Sequence, residues 1–120
     1  MSDFTYHALS SASAFGGEPE AYYALHRWID RSRANVTGFE HRLLSHHSQG
    51  ISDCVEHFGP VILNSKGKAI PTQLLAEQHI IEDLGFVPSL SDWAVLVHVP
   101  RWASKPARML HKKLFEVIDQ

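Results

Sequence analysis

The sequence predicts a mostly α protein, a small helical bundle of about five or six helices with a short β-hairpin insertion near residues 61–70. Apolar residues recur at helical spacing through most of the chain, and glycine or proline follows most of these periodic segments. Between two of them, a turn rich in lysine and glycine separates two short apolar runs, which is typical of a hairpin.

The first two predicted helices lie in the first 33 residues. An alanine-rich segment over residues 3–14 forms the first, which ends at Gly16-Gly17. A proline suits the first turn of the second helix, over residues 19–33. His26 is a boundary residue of this helix, and Asp30 is expected to turn further outward.

A long third helix is predicted to run toward Phe58. Residues 37–40 match a capping box at its start, in which a hydroxyl and a carboxylate bind free backbone N–H groups. Gly59-Pro60 stops the helix, because proline cannot continue it. Gly50 in its middle indicates a kink or a close contact with a neighbouring helix.

The hairpin and a fourth helix follow. Residues 61–63 and 68–70 are the two predicted strands, and residues 64–67 form their turn. The next helix opens at residues 71–72, continues to Leu84 and is closed by a glycine.

The last predicted helices follow a second capping box. This box, at residues 89–92, starts a helix that extends to about Val97 and ends before Pro100. No repeat or linker divides the chain, so residues 1–120 are expected to form a single domain. Residues 101–120 read as an appended basic amphipathic helix.

Composition narrows the class of protein. The chain is 44% hydrophobic and 20% charged, which suffices for one core, and its net charge of −2 argues against nucleic acid as a partner. A single cysteine cannot form an intrachain disulfide, which favours a reducing compartment. Neither a signal peptide nor an apolar run long enough to span a membrane is visible. A cytoplasmic protein is expected.

Histidines are concentrated in the middle of the chain. Six of the nine fall between His26 and His79, on segments predicted as separate helices. Imidazole and carboxylate groups bind divalent metals and transfer protons near neutral pH. Familiar local metal, phosphate and nucleophile motifs are absent, so any site must be assembled from facing helices.

Helical geometry sorts these polar residues by the direction they face. On the third helix His47 fills a gap in the apolar stripe and should face the core, whereas His46 and His41 should lie at the boundary or in solvent. On the fourth helix Glu77 lies within the apolar stripe of Leu74, Ile81 and Leu84. A buried carboxylate is costly unless it is paired or binds a metal.

Structural roles explain the same residues equally well. His47 could be a core histidine whose ring binds a backbone carbonyl. The capping box accounts for Glu40, and Glu77 could pair with Arg27 or Arg42.

Two further pairs follow the same helical spacing. His26–Asp30 and His79–Asp83 are four residues apart and read, taken singly, as solvated pairs. Cys54 belongs to an apolar stripe and reads as a small hydrophobic core residue.

The first functional hypothesis is a divalent-metal site between helices. Its predicted ligands are His26, His47 and Glu77, with His46 or His79 as a further ligand or as the catalytic general base. Zinc, manganese, iron or nickel would suit such a set. A metal-dependent hydrolase of a small phosphorylated or amide substrate would follow.

The second hypothesis is a non-enzymatic interaction protein, an inhibitor or adaptor in which the histidines are structural. Residues 101–120 carry five Lys or Arg and two acidic residues, interleaved with apolar ones. This helix could bind an acidic protein or nucleic acid, form a homodimer, or pack on its own domain. The partner, whether a small molecule or a protein, is not identified by these residues.

The order of motifs over residues 4–97 resembles a family of small uncharacterised, His-rich proteins encoded by bacteria and phages. The motifs that carry the resemblance are His26-Arg27-Trp28-Ile29-Asp30, His41-Arg42, His46-His47, Phe58-Gly59-Pro60, Glu77-Gln78-His79, Glu82-Asp83-Leu84-Gly85, Pro88 and Asp92-Trp93. No activity is established for that family. The resemblance implies a role in phage–host biology and no mechanism.

Overall fold

A computed structural model describes residues 3–34 and 38–95 and confirms a mostly helical fold with one two-stranded antiparallel sheet. The helices and strands are α1 (Phe4–Phe15), α2 (Tyr23–Ile29), α3 (Ser48–Phe58), β1 (Val61–Leu63), β2 (Ala69–Pro71), α4 (Thr72–Leu84) and α5 (Leu90–Ala94). Three 3-10 segments cover Pro19–Tyr22, Arg31–Ala34 and Gly38–Leu44.

Local sequence signals set most helix ends. The carboxylate of Asp3 accepts hydrogen bonds from backbone N–H groups in the first turn of α1. Gly59 and Gly85 follow α3 and α4 with φ of 85°, a conformation that glycine adopts without strain. Ser89 and Asp92 form the predicted capping box of α5. These predicted boundaries are therefore confirmed.

The predicted hairpin is confirmed and anchors the end of α3 to the start of α4. Ile62 pairs with Ile70 across the two strands, and Ile70 is buried in the core. The side chain of Asn64 organises the turn by accepting hydrogen bonds from the backbone N–H groups of Lys66 and Lys68.

The apolar core lies between α1, α2, α3 and α4. Its buried residues are Ala8, Tyr22, Leu25, Ile29, Ile51, Cys54, Ile70, Leu75, Ala76 and Ile80. Cys54 is buried in this core, as predicted, and burial raises the pKa of its thiol to about 12.

The second predicted helix is shorter than expected. Its α-helical part ends at Ile29, and Asp30 takes φ of −93° and ψ of 10° before a 3-10 turn begins. The prediction that Asp30 faces outward is wrong, because this change of backbone direction brings its side chain, 9% exposed, into the interior.

The predicted long third helix is interrupted in the structure. Because of this break, the predicted directions of His41 and His46 are wrong. A 3-10 segment ends at Leu44, and α3 begins only at Ser48. Gly50 packs closely against the turn before its own helix, and not against a neighbouring helix as predicted, because a Cβ there would lie 1.8 Å from the carbonyl oxygen of Ser45. His46 and His41, expected at the boundary or in solvent, are buried.

α4 turns a different face to the core from the one predicted. Leu74 and Ile81 are 45% and 48% exposed, whereas Leu75, Ile80 and His79 are buried. Two apolar patterns compete on this helix. The face with Leu75, Ile80 and His79 is the buried one. Burial of His79 is tolerated because its ring contacts His26 and Asp30 inside the protein, which offsets the cost of burying a polar group.

Several predicted elements lie outside the described residues. They are the start of the capping box at residue 37, the end of the α5 helix near residue 97, and the basic helix within residues 101–120. The single domain over residues 1–120 stays a prediction. Across the described ranges, no helix has both the length and the apolar character needed to cross a membrane.

Candidate metal centre

A cluster of two histidines and two aspartates lies beside the apolar core. Asp30 follows the end of α2, His46 lies in the turn before α3, and α4 provides His79 and Asp83. The last two are four residues apart, so one helical face presents both. All four side chains are between 0% and 9% exposed.

The distances within the cluster are short and similar. Asp83 Oδ2 lies 2.8 Å from Nε2 of His46 and 3.4 Å from Nε2 of His79. Asp30 Oδ1 lies 3.5 Å and 3.2 Å from the same two nitrogens. All four ligand atoms lie within 4.8 Å of one another.

These spacings suit neighbouring ligands of one small metal ion. Zinc bonds to histidine nitrogen and carboxylate oxygen of about 2.0–2.1 Å place neighbouring ligand atoms about 3.3 Å apart. The four nitrogen–oxygen distances of the cluster run from 2.8 to 3.5 Å, on both sides of that value. The cluster therefore has the atoms and the size needed to hold one metal ion.

A chain of hydrogen bonds orients His79. Its Nδ1 lies 2.9 Å from Nδ1 of His26, and Nε2 of His26 lies 2.8 Å from Oγ of Ser11. Ser11 in turn donates to Oε1 of Gln78 at 2.7 Å. Because Ser11 has one proton, His26 donates to it and accepts from His79. The chain thus leaves Nε2 of His79 facing the carboxylates.

His46 is oriented in the same way by a separate partner. The hydroxyl of Ser45 donates to the carbonyl of Ile29 at 2.6 Å, so it accepts from Nδ1 of His46 at 3.1 Å. A neutral imidazole has only one N–H, which leaves the lone pair of Nε2 pointing at Asp83. A cation bound between these two groups removes their repulsion. Backing of this kind is usual for histidines that bind metals.

The carboxylates of the cluster are held in their charged form. Burial raises the pKa of each, but the contacts with the neighbouring histidines, including the hydrogen bond of His79 to Asp30, outweigh burial and bring the pKa of Asp30 and Asp83 below their ordinary values. For His79 burial lowers the pKa, yet its bonds to both aspartates reverse this, and the net pKa is raised.

The other two histidines are held neutral. Burial lowers the pKa of His46 although the carboxylates of Asp83 and Asp30 lie beside its ring. Burial and the charges of neighbouring histidines lower the pKa of His26 to about 2. A neutral His26 is the form that accepts from His79, which agrees with the direction of the hydrogen-bond chain.

Three buried polar atoms around the cluster have no hydrogen-bond partner among the described residues. They are Oδ2 of Asp30, Oδ1 of Asp83 and Nε2 of His7. His7 is fully buried, stacks on the ring of His79 with centroids 3.8 Å apart, and binds Glu82 through Nδ1 at 2.8 Å. Its Nε2 lies 3.3 Å from Oδ1 of Asp83. Such atoms are costly to bury without a bound cation or water.

The structure brings some of the predicted site residues together and separates others. His46 and His79 belong to the cluster, and His26 lies directly behind His79. His47 is buried but caps α3, where its Nδ1 accepts the N–H of Gly50 at 2.9 Å. Glu77 is partly exposed on α4 and accepts a hydrogen bond from a neighbouring glutamine.

Sequence reasoning missed the two carboxylates of the cluster. The pairs His26–Asp30 and His79–Asp83 were read as solvated, but all four side chains are buried. The recurring spacing of four residues was the signal. This spacing did not lead to a predicted site because Asp30 was expected to face outward and the wrong face of α4 was assigned to the core.

The fold and the cluster define a class: a small helical domain with a buried His/Asp group able to hold a metal ion. A family model described as a domain of unknown function, DUF6915, matches residues 2–103, and the chain belongs to this family. The expectation of an uncharacterised family is confirmed to that extent. Comparisons with curated proteins and with solved structures found no match.

Proposed function

We propose that the protein binds one divalent metal ion through Asp30, His46, His79 and Asp83. The observation that carries the proposal is the set of four nitrogen–oxygen distances between 2.8 and 3.5 Å, each close to the separation of two neighbouring ligand atoms on one zinc ion. Two carboxylates also neutralise a dication.

Zinc is the ion that this arrangement favours. Four buried protein ligands, two imidazoles and two carboxylates, resemble structural zinc sites, in which no position stays open for water. The second nitrogen of each ligating histidine bonds to another group, which fixes both rings. Manganese, iron and nickel accept the same ligand types but favour higher coordination numbers.

Elemental analysis tests the proposal on untagged full-length protein purified without chelator. About one equivalent of zinc is expected in the wild type, and well below a tenth of an equivalent in His79→Ala and Asp83→Asn. His57→Ala, which removes an exposed histidine, should keep full occupancy. A wild type that stays metal-free after incubation with zinc, manganese, iron or nickel would reject the proposal.

A hydrolytic role is the second candidate, and a cleft beside the cluster favours it. Arg31, Ser32, Leu44 and Ser45 line this cleft of about 570 Å³, and Ser45 bonds directly to the ring of His46. An ion with more than four ligands would keep a position at which water becomes a nucleophile. The arginine in the wall suits a substrate with a phosphate group.

Cobalt substitution separates these two roles. Cobalt in a four-ligand site absorbs visible light strongly, whereas six-coordinate cobalt absorbs weakly. A strong spectrum without turnover of phosphomonoester or amide test substrates would support the structural role. Turnover that disappears with Asp30→Asn would support the hydrolase.

The interaction-protein alternative rests on residues 101–120, outside the described residues. An inhibitor or adaptor of phage–host biology, or a homodimer formed through this segment, stays a prediction from its basic and apolar composition. Deleting residues 101–120 should leave the metal content unchanged and alter the elution volume or partner binding. Loss of metal on deletion would contradict this separation.

A further inference from the structure

A second cleft, of about 530 Å³, lies where the end of α2 meets the end of α3. Its lining residues are Ala24, Arg27, Trp28, Arg31, His57 and Phe58. This volume is in the range of small-molecule sites. None of the four proposed metal ligands lines it, although Arg31 also lines the cleft beside the cluster.

The walls of this cleft are flat aromatic rings. Trp28 lies at its centre, with the guanidinium of Arg31 3.7 Å above its ring and the imidazole of His57 stacked nearly parallel at 5.0 Å. Phe58 meets Trp28 edge to face at 5.9 Å. Stacked groups of this kind offer a surface on which a further planar ring can lie.

The rim of the cleft is basic although the whole chain carries a net charge of −2. Arg27 and Arg31 are exposed, and no carboxylate is among the described residues that line the cleft. Arg31 donates one N–H to the carbonyl of Trp28 at 2.9 Å. A guanidinium has five N–H donors and can bind a phosphate with two of the others.

We propose that this cleft binds a nucleoside monophosphate. The base would extend the stack formed by Trp28, Arg31 and His57, and the phosphate would pair with Arg27 and Arg31. A planar ring alone would not use the arginines, and inorganic phosphate would not use the aromatic walls. The same chemistry is offered by a free nucleotide and by one nucleotide of a single strand. The inference does not depend on the proposed metal site.

Two titrations of the metal-loaded full-length chain test the proposal. In the first, tryptophan fluorescence follows additions of AMP, GMP, CMP and UMP. Trp93→Phe and Trp102→Phe are introduced so that Trp28 alone gives the signal. Saturable quenching is expected with nucleotides, and at least about tenfold weaker binding with adenosine or ribose 5-phosphate, because each lacks one half of the contacts. Amide chemical shifts of the unsubstituted chain provide the second titration.

Substitutions assign the binding to this cleft. Arg31→Gln removes the phosphate partner and should weaken binding by about tenfold or more, and because Arg31 also lines the cleft beside the cluster, Trp28, which lines only the second cleft, decides between the two. Trp28→Leu should weaken binding at least as much, as judged by chemical shifts. Arg33→Gln is the matched control, since Arg33 is exposed and does not line the cleft, and it should bind like the wild type.

The outcomes are distinct. No saturable nucleotide binding up to millimolar concentration would overturn the proposal, and so would binding that Arg31→Gln and Arg33→Gln leave equally unchanged. A single-stranded oligonucleotide that binds tenfold more tightly than AMP through the same shifted residues would assign the ligand to a nucleic acid strand. Comparable affinities would assign it to the free nucleotide. Metal content, measured on the same samples, reports separately on the metal centre.

Discussion

The apolar core around Ile70 and Leu75 and the polar cluster around Asp30 and Asp83 lie side by side among the same helices. Both regions are buried, with side chains between 0% and 9% exposed. Most core side chains carry no polar atoms and are satisfied by contact with one another, and the hydroxyl of Tyr22 donates a hydrogen bond to the carbonyl of Gly16. The cluster carries two charged carboxylates and several buried atoms without hydrogen-bond partners.

This difference separates two sources of stability. The core stabilises the fold whether or not metal or chelator is present, since burial of apolar surface needs no ligand. In the cluster, His79 and Arg42, whose guanidinium lies 3.6 Å from Oδ1 of Asp83, offset part of the cost of burying two carboxylates close together, and a bound cation would offset more of it. The two regions should therefore respond differently to substitution and to chelator, and the predictions below begin with the largest expected effect.

A cavity in the core should destabilise the protein without affecting the metal. Ile70→Ala removes a side chain that is 1% exposed and should lower the free energy of unfolding by about 2–5 kcal/mol. Denaturant unfolding with and without chelator should give the same loss in both conditions. Metal depletion in this variant would show that the two regions are not separate.

Removal of the metal should have the second-largest effect. If free metal exceeds its dissociation constant by 100- to 1,000-fold, chelation should lower the free energy of unfolding by about 3–4 kcal/mol. Asp83→Asn removes a ligand, so its melting temperature should not respond to chelator. An equal change in melting temperature for wild type and variant would mean that the chelator does not act through Asp83.

Gly50→Ala should disturb the metal cluster although Gly50 is not one of its ligands. A Cβ at this position would overlap the carbonyl of Ser45 at 1.8 Å, and the backbone next to His46 must move. We expect a loss of about 1–3 kcal/mol, typical of overpacking, and reduced metal content. Gln49→Ala, at an exposed neighbouring position, should change neither quantity.

His47 and His46 are adjacent, and we expect their substitutions to differ. His47→Ala removes the cap of α3 and should cost about 1 kcal/mol with the metal retained. His46→Ala should lose the metal. His47→Asn restores an acceptor for the N–H of Gly50 and should recover part of the loss. Metal loss in His47→Ala with normal stability would instead make His47 a ligand, as first predicted from the sequence.

The smallest predicted effect is a pH dependence at His47. Burial lowers the pKa of its imidazole, so the folded protein favours the neutral ring. The unfolded chain takes up the proton first, below its ordinary pKa of about 6.5, and the stability contributed by His47 is lost as pH falls from there toward the folded pKa. Thermal melts of wild type and His47→Asn should show that the melting temperature of the wild type falls, relative to that of the variant, between pH 7.5 and 5. A relative gain on acidification would mean that His47 is held as an imidazolium.

Much of the fold could be predicted because its signals are local. The hairpin, the glycine stops after α3 and α4, and the capping box of α5 depend on residues a few positions apart. The breaks at Asp30 and before Ser48 were not predicted, because helical periodicity continues through both in the sequence. These breaks decide which polar side chains face inward.

The sequence by itself determined that the protein is mostly helical with one hairpin, where most helices end, and that histidine and carboxylate groups are available for a site. Tertiary structure decided which of them meet. Asp30 and Asp83 are 53 positions apart in the chain but lie against the same two imidazole rings. A helix accepts a charged residue on its inner face when partners on other helices satisfy it, and those partners are known only once the helices are packed.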